Sequence, residues 1–173
     1  RMDHRGGCGF EENTGDGAGI LTALPHKLLN QIVSKEFNSA LPQQGAYGVG
    51  IVFMPTDGKE RERCRAEFDK QIAAFGQRLI GWRILPTDPD LADIGHAARA
   101  AMPHFEQLFI GAADDISGDD FERKLYLIRK HTTHILRGDE SLTQRKLLYV
   151  SSLSSKVIIF KGMLTPNQLF PFF

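Results

Sequence analysis

Strand-like and helix-like patterns of apolar residues alternate along this chain of 173 residues, and that alternation limits the folds it can adopt. Six short runs have the composition of strands, and three longer runs have the spacing of amphipathic helices. The predicted strands are residues 20–24, 46–54, 78–85, 105–112, 147–153 and 156–162, and the predicted helices are 25–37, 59–75 and 121–136. The pattern favours one mixed domain of the α/β or α+β class, without internal repeats.

Two parts of the chain need a separate interpretation. Residues 91–102, rich in alanine, are compatible with a further helix that Pro103 would end. The last two strands are separated only by Ser154 and Ser155, a spacing that predicts a β-hairpin.

The spacing of apolar residues also predicts which helical side chains are buried. Cys64, Phe68, Ile72 and Phe75 recur every three or four residues and predict the inner face of the second helix. The corresponding inner faces of the first and third helices are Leu28, Leu29, Ile32 and Val33, and Leu125, Ile128 and Ile135. In the strand 46–54, Gly48 and Gly50 alternate with apolar residues, which indicates close packing against that strand.

Charge and cysteine content exclude several classes of protein. The chain carries 21 basic and 21 acidic residues and has no run of five basic residues, so nucleic acids and anionic membranes are poor partners. Its longest wholly apolar runs have four or five residues, far short of the ~20 that cross a bilayer. Two cysteines could form at most one disulfide, which favours a reducing compartment and hence the cytoplasm.

A glycine-dense segment occupies residues 4–19, with six glycines in sixteen positions. Such a density is typical of turns and predicts positive φ angles or close approach of the backbone to a neighbour. A phosphate-binding loop would continue into Gly-Lys-Ser/Thr and a helix, and a dinucleotide fingerprint would follow a strand. Here the glycines precede a strand and no lysine follows, which argues against nucleotide binding.

Several polar residues could in principle hold a metal. His131 and His134 lie three residues apart on a predicted helix, but no third ligand is near them in sequence, which favours solvated histidines. Two acidic pairs, Asp114-Asp115 and Asp119-Asp120, are explained by loop and helix-capping roles without an ion.

The two cysteines differ in their surroundings. Cys64 occupies a core-facing helical position, where cysteine normally serves as a small apolar side chain. Cys8 lies in the glycine-dense segment near His4 and Arg5, cations that would lower the pKa of a thiol and make it reactive.

Both ends of the chain are unusual for a complete protein. The sequence opens on Arg1, directly before the glycine-dense segment, and closes on the apolar run 169–173. Because an exposed apolar terminus is unfavourable, we expect a segment of a longer polypeptide; a natural terminus that docks on the core is the alternative.

Short motifs in a fixed order run along nearly the whole chain. The first are His4-Arg5-Gly6-Gly7 and the run from Asn13 to Leu21. The others are Ala46–Gly50, Gly81–Arg83 with Pro86-Thr87, Pro103–Ile110, Phe121–Tyr126, Tyr149–Ser155 and Phe160–Leu164. His-Arg-Gly alone is a weak signal, whereas the ordered set is specific and resembles the glutamine amidotransferase domain of glutamate synthase large subunits.

The resemblance implies a fold and a reaction. The fold would be α+β, a four-layer αββα sandwich of mainly antiparallel sheets, of which residues 1–173 form one incomplete domain. In this family an amino-terminal cysteine attacks the glutamine side chain, its own α-amino group acts as base, and a glutamyl thioester is hydrolysed. The ammonia then meets 2-oxoglutarate on synthase domains that carry flavin mononucleotide and an iron–sulfur cluster, with electrons from ferredoxin or a small subunit.

When the family's functional residues are matched to this sequence by position, few of them fall within the chain. The nucleophilic cysteine would precede Arg1, so Cys8 does not match it, and the Arg-Phe-Ser-Thr and Asn-Gly motifs that bind glutamine and the oxyanion do not occur. Only Arg5 matches a supporting position, where a guanidinium orients the thiolate; a structural salt bridge is the alternative role. Asp16 would hold a turn. We therefore expect the segment itself to be inactive.

Two other functions remain open from the sequence. A non-catalytic scaffold or interaction domain derived from a class II amidotransferase would need these ends to be those of the gene product. Another class II amidotransferase, such as the enzyme that begins purine synthesis, is disfavoured by the matches after residue 46.

Overall fold

The computed structural model describes residue 7 and residues 10–116 and 118–173. The elements in chain order are β1 (Ala18–Ala23), α1 (His26–Phe37), β2 (Tyr47–Met54), α2 (Gly58–Ala74), β3 (Arg78–Ile84), α3 (His96–Ala100), β4 (His104–Gly111), α4 (Gly118–Gly138), β5 (Tyr149–Ser154), β6 (Val157–Gly162) and α5 (Pro166–Phe172). They fall into two compact units. The larger unit comprises Thr22–Ile84 and Pro103–Ile158, and the smaller unit comprises the residues up to Leu21 with Leu85–Met102 and Ile159–Phe173.

The larger unit is built on a four-stranded antiparallel sheet with the strand order β3-β4-β2-β5. β2 lies inside this sheet, where Val49 is paired with Phe109 of β4 and with Ser154 of β5. Almost all of β2 is buried, which explains why its sequence is apolar or glycine at every position.

Helices α2 and α4 pack on one face of this sheet and enclose the main core. The buried residues of that core come from both helices, from β2, β4 and β5 and from the chain after α4: Val52, Met54, Cys64, Phe68, Ile72, Leu108, Ile110, Phe121, Leu125, Ile128, Leu136, Leu142, Leu148, Val150 and Leu153, with Ala112. Gly48 permits this packing, because a Cβ atom there would lie 2.5 Å from Cδ1 of Leu125. The close approach predicted for the glycines of this strand is confirmed.

Helix α1 contacts the other face of the same sheet. The ring of Phe37 meets that of Phe109 edge to face at a centroid distance of 5.9 Å. At the other end of the helix, Nδ1 of His26 lies 3.0 Å from the hydroxyl of Tyr47. Burial raises the pKa of this tyrosine, so it stays neutral over the physiological range.

In the smaller unit, β1 and β6 form a two-stranded sheet, and the division between the units falls inside both strands. The predicted hairpin of the last two strands is therefore wrong, because β5 pairs with β2 and β6 pairs with β1. The carboxylate of Glu122 on α4 holds the connection, since its Oε1 accepts the Ser155 N–H at 2.5 Å and lies 3.1 Å from the Ser154 hydroxyl. That hydroxyl in turn accepts the N–H of Lys156 at 3.0 Å.

The helix considered for residues 91–102 is limited to α3. Before it, Oδ1 of Asp88 accepts the N–H groups of Asp90 and Leu91, and Asp93 has a left-handed backbone with φ of 47°. These features form turns and delay the start of the helix.

The faces predicted for the long helices are correct with two exceptions. Ile135 of α4 is 41% exposed, and the buried positions of that helix are Phe121, Leu125, Ile128, Thr132 and Leu136. In α1, Leu29 and Val33 are buried, whereas Leu28 is 54% exposed.

The expected α+β class with antiparallel sheets is confirmed. Among the described residues, no helix combines the length and hydropathy needed to cross a membrane.

Burial raises the pKa of the Cys64 thiol to about 11, with a smaller contribution from the charge of Glu60. We expect native protein to leave this thiol unalkylated by iodoacetamide at about pH 8, where about 0.1% of it is thiolate. Because the unfolded thiol loses its proton first, stability from this group falls as the pH rises from about 9 through 11. Peptide mapping after alkylation of native and guanidinium-unfolded protein checks this, and equal labelling of the Cys64 peptide in both would contradict it.

Candidate functional site

The one site residue predicted from the resemblance, Arg5, lies outside the described residues, as do His4 and Cys8. The described part of the glycine-dense segment consists of Gly7 and residues 10–19, the last two of which belong to β1. We call residues 10–17 the glycine loop. Its anchoring belongs wholly to the smaller unit and shows how the chain that follows Arg5 is held.

Two backbone hydrogen bonds hold the glycine loop. Within it, the N–H of Thr14 donates to the carbonyl of Glu11 at 3.1 Å, and the N–H of Asp16 donates to the carbonyl of Gly7, before the loop, at 3.0 Å. The backbone bends at Asp16, and Gly17 follows it with φ of 146°, which favours glycine.

The carboxylate of Glu11 joins the loop to the start of α3. Its Oε2 atom accepts the hydroxyl of Thr14 at 2.7 Å and the N–H of Ala97 at 3.0 Å. The hydrogen bond from Ala97 and then that from Thr14 lower the pKa of Glu11, so the ionised carboxylate is the form that anchors the loop.

Gln168 of α5 connects the glycine loop to other segments of the smaller unit. Its Nε2 donates to the carbonyls of Asn13 at 2.9 Å and Asp93 at 3.0 Å, while its Oε1 accepts the N–H of Thr165 at 2.8 Å. The Asn13 carbonyl also accepts the N–H of Gly95 at 2.7 Å. One buried amide therefore connects three separate segments of the smaller unit at one point.

Gly15 brings the loop directly against the backbone that precedes α5. A Cβ atom at this position would lie 2.3 Å from the carbonyl carbon and oxygen of Leu164 and 2.4 Å from the nitrogen of Thr165. Such distances do not occur between non-bonded atoms. The glycine therefore serves close backbone approach, as the sequence predicted.

Replacing Gln168 with leucine is expected to lower the free energy of unfolding by about 2 kcal/mol, because buried carbonyl and N–H groups lose their partner. Gln168→Glu should be destabilising as well, since a carboxylate keeps the acceptor but cannot donate to Asn13 and Asp93. Chemical denaturation gives the change in stability, and amide hydrogen exchange gives its location, expected in residues 10–17. Gln31→Leu, at an exposed position of α1, is the control. An equal loss of stability in that variant would contradict the anchoring role of Gln168.

The larger unit contains an ionic cluster that sequence reasoning missed. Glu106 of β4 is completely buried and accepts two hydrogen bonds from Arg65 of α2, from Nε and Nη2, both at 2.7 Å. Nε of Arg61 lies 3.5 Å and Nε2 of His104 lies 3.3 Å from the same carboxylate. The available signal was a glutamate in a buried strand together with two arginines four positions apart on α2, earlier in the chain.

The electrostatics of this cluster favour fixed charges. The hydrogen bonds that Arg65 donates to Glu106 raise the pKa of Arg65, which stays protonated. Burial, followed by the charge of Arg61, lowers the pKa of His104, so its imidazole is neutral near physiological pH. The Glu106 carboxylate is completely buried and both of its oxygens are occupied by Arg65, so the cluster fits a structural role.

The other candidates from the sequence are not brought together. The ring of His131 packs edge to face on Phe75 at 5.2 Å. Asp119 pairs with Lys156 at 2.8 Å, which lowers the pKa of the aspartate, and Asp120 pairs with Arg123 on the same helix. Within the described ranges, no group of three or more His, Cys, Asp or Glu residues could hold a metal ion.

Comparison with known proteins places this architecture in a family. The family model described as class II glutamine amidotransferases matches residues 1–173. The chain is 37% identical over its whole length to the glutamate synthase (NADPH) large chain of Bacillus subtilis and 36% identical over 99% of its length to the ferredoxin-dependent glutamate synthase of Oryza sativa. A third relative is the glutamate synthase (NADPH) large chain of Azospirillum brasilense, at 36% identity over 98% of the chain.

The chain spans about a tenth of the length of these curated relatives, 10% or 11% in each case. The family match nevertheless covers every residue, including the glycine-dense segment and the whole of the larger unit. The α+β architecture with antiparallel sheets agrees with it. On this evidence, the chain belongs to the class II glutamine amidotransferases.

Proposed function

We propose that residues 1–173 form one incomplete domain, the glutaminase domain of a glutamate synthase large subunit. The observation that carries the proposal is the match of nearly the entire chain to glutamate synthases from bacteria and plants. In the complete protein this domain would supply ammonia from glutamine, and the synthase domains would add it to 2-oxoglutarate to form glutamate.

In the proposed reaction the nucleophile is a cysteine that precedes Arg1. The proton of its thiol passes to its own α-amino group, and the thiolate attacks the side-chain amide carbon of glutamine. Ammonia leaves with that proton, and water then hydrolyses the glutamyl thioester to glutamate and free thiol. The motifs that bind glutamine and the oxyanion in this family do not occur in the 173 residues, so we propose that these residues do not by themselves catalyse the reaction.

Arg5 is the residue of this chain to which we assign a supporting role. A guanidinium beside a thiol favours the thiolate and fixes its position through charge and hydrogen bonding. The hydrogen bonds of Glu11 and Gln168 support this role, because they hold the chain a few residues after Arg5. A precisely placed guanidinium requires such an anchored backbone.

The cofactors and electron donor of the proposed parent enzyme belong to its other domains. The similarity to glutamate synthases is what implies flavin mononucleotide and an iron–sulfur cluster, and we propose that both bind in those domains. The names of the relatives include both NADPH-dependent and ferredoxin-dependent enzymes, so the donor would be either a small subunit or ferredoxin. We propose a cytoplasmic location.

Covalent labelling with 6-diazo-5-oxonorleucine, an electrophilic analogue of glutamine, tests the proposal. The reagent is applied to this chain and to the polypeptide encoded by the complete gene, and the modified peptides are mapped. We expect modification only in the complete polypeptide, at a cysteine that precedes Arg1. Arg5→Gln in that polypeptide should slow labelling at least about tenfold, whereas Arg145→Gln, far from the motif in sequence, should not.

Two outcomes would reject this assignment. Labelling of Cys8 would mean that the nucleophile was carried over wrongly. Absence of labelling in both proteins would favour the alternative, a non-catalytic scaffold or interaction domain derived from a class II amidotransferase.

A further inference from the structure

A groove of about 890 Å³ lies along the second half of α4, in the larger unit. We call it the basic groove and define it by Arg129, Lys130, His134 and Arg137 of α4 with Tyr149 and Val150 of β5. No carboxylate lines it among the described residues. The groove is therefore a concentration of positive charge on a chain whose net charge is zero.

The cations of the basic groove differ from most arginines of the larger unit. Arg63, Arg65 and Arg83 are each paired with a carboxylate at 2.7 to 2.9 Å. Across the described parts of the chain, no acidic side chain lies within ion-pair distance of Arg129, Lys130 or Arg137. Their charges are available to an external anion.

Two of these guanidinium groups are held in place by contacts that do not neutralise them. Nε and Nη2 of Arg137 donate to the carbonyl of Leu148 at 3.3 and 3.0 Å. The guanidinium of Arg129 lies over the ring of Tyr126, 5.6 Å from its centroid. Such fixed donors lose less conformational entropy when they bind a carboxylate.

The helix dipole does not explain the whole set. Cations stabilise a helix only within its last turn, which accounts for Arg137. Arg129 and Lys130 lie about two turns before the end of α4. The helix dipole therefore does not account for these two charges.

The shape of the groove favours an extended ligand. The helical stretch from Arg129 to Gly138 is about 14 Å long, the span of about four residues of extended peptide. Partly exposed Tyr149 and Ile135 add apolar surface beside the charges. A small inorganic anion would contact only one end of this surface and would leave the apolar part uncovered.

We propose that the basic groove binds an acidic segment of a partner polypeptide, in which carboxylates alternate with aliphatic side chains. The carboxylates would pair with Arg129, Lys130 and Arg137, and the aliphatic groups would cover Tyr149 and Ile135. A nucleic acid suits the site less well, because its outer surface is a regular array of phosphates without aliphatic groups. The proposal is independent of the glutaminase reaction, and its test uses neither glutamine nor a nucleophile.

Titration calorimetry on the protein tests this with an eight-residue peptide that alternates aspartate or glutamate with leucine or valine. We expect saturable binding that weakens with added salt, since exposed charges are screened. The same peptide with asparagine and glutamine in place of the acids should not bind. The double variant Arg129→Gln, Lys130→Gln should weaken binding at least about tenfold.

The matched control is Lys27→Gln with Lys35→Gln, which removes two exposed cations from α1 and should change the affinity less than about twofold. Circular dichroism confirms that both double variants keep the fold. Equal losses in the two variants would overturn the proposal, because binding would then follow net charge alone. It would also be overturned by no saturable binding to the acidic peptide, or by competition from a single-stranded RNA at lower concentration than the peptide.

Discussion

Replacing Arg65 with alanine is expected to lower the free energy of unfolding by about 3 kcal/mol, the loss typical of breaking a buried ion pair. Glu106 is completely buried and depends on Arg65 for two hydrogen bonds of 2.7 Å. Without that guanidinium, the carboxylate retains only the more distant Arg61 at 3.5 Å and the imidazole of His104, while it stays out of reach of water. Denaturant titration followed by tryptophan fluorescence measures the change.

Removing the charge of the other partner, Glu106, should reduce the stability less. In Glu106→Gln the side chains of Arg61 and Arg65, which are 23% and 35% exposed, can turn towards water. We therefore expect the free energy of unfolding to fall by about 1–2 kcal/mol. The matched control is Arg63→Ala on the same helix, whose pair with Asp139 is exposed and contributes less than about 1 kcal/mol. If Arg63→Ala and Arg65→Ala cost the same, the buried cluster does not stabilise the sheet.

Gly15→Ala is the second change with a large expected effect, again about 3 kcal/mol of destabilisation. The added methyl group would lie 2.3 Å from backbone atoms of Leu164, which cannot move aside as a flexible side chain can. Relief requires separation of the glycine loop from the start of α5, and hence loss of the hydrogen bond that Gln168 donates to the Asn13 carbonyl. Hydrogen exchange should show faster exchange in residues 10–17 and 164–168.

Gly138→Ala provides the control for this prediction. It lies at the end of α4, where no atom is within 4 Å of an added Cβ, so alanine should be neutral or stabilise the helix by about 0.5–1 kcal/mol. A Gly15→Ala protein with the stability of the original chain would show that the loop and the Leu164 backbone are not in contact in solution.

Apolar periodicity predicted the strands and long helices because each depends on residues close in sequence. β2 is a clear case, since its alternating glycine and apolar residues reflect burial on both faces. The hairpin prediction was wrong because β5 pairs with β2 and β6 pairs with β1, while the carboxylate of Glu122, 32 residues before Ser154, binds the connection. These contacts lie far apart in sequence, so no local pattern contains them. The first half of the helix considered at 91–102 is missing for a local reason, the turns made by Asp88 and the left-handed backbone of Asp93.

The candidate site was also predictable from the sequence only in part. Its glycine content was visible and correctly indicated close backbone approach at Gly15. Glu11 and Gln168 were not singled out, because a glutamate and a glutamine in polar surroundings look like ordinary surface residues. Their roles arise from tertiary contacts, and the role of Arg5 rests on the resemblance alone.

The hydrogen bond between Gln168 and the Asn13 carbonyl joins residues 155 positions apart. During synthesis, the glycine loop leaves the ribosome early but cannot be completed until residue 168 has been made. Closing so long a loop is entropically costly and slow, whereas the four-stranded sheet lies within residues 47–154 and can form first. We therefore expect the glycine loop to be anchored after the sheet has formed, and a ribosome-bound intermediate that lacks α5 to have a formed sheet and an unanchored loop.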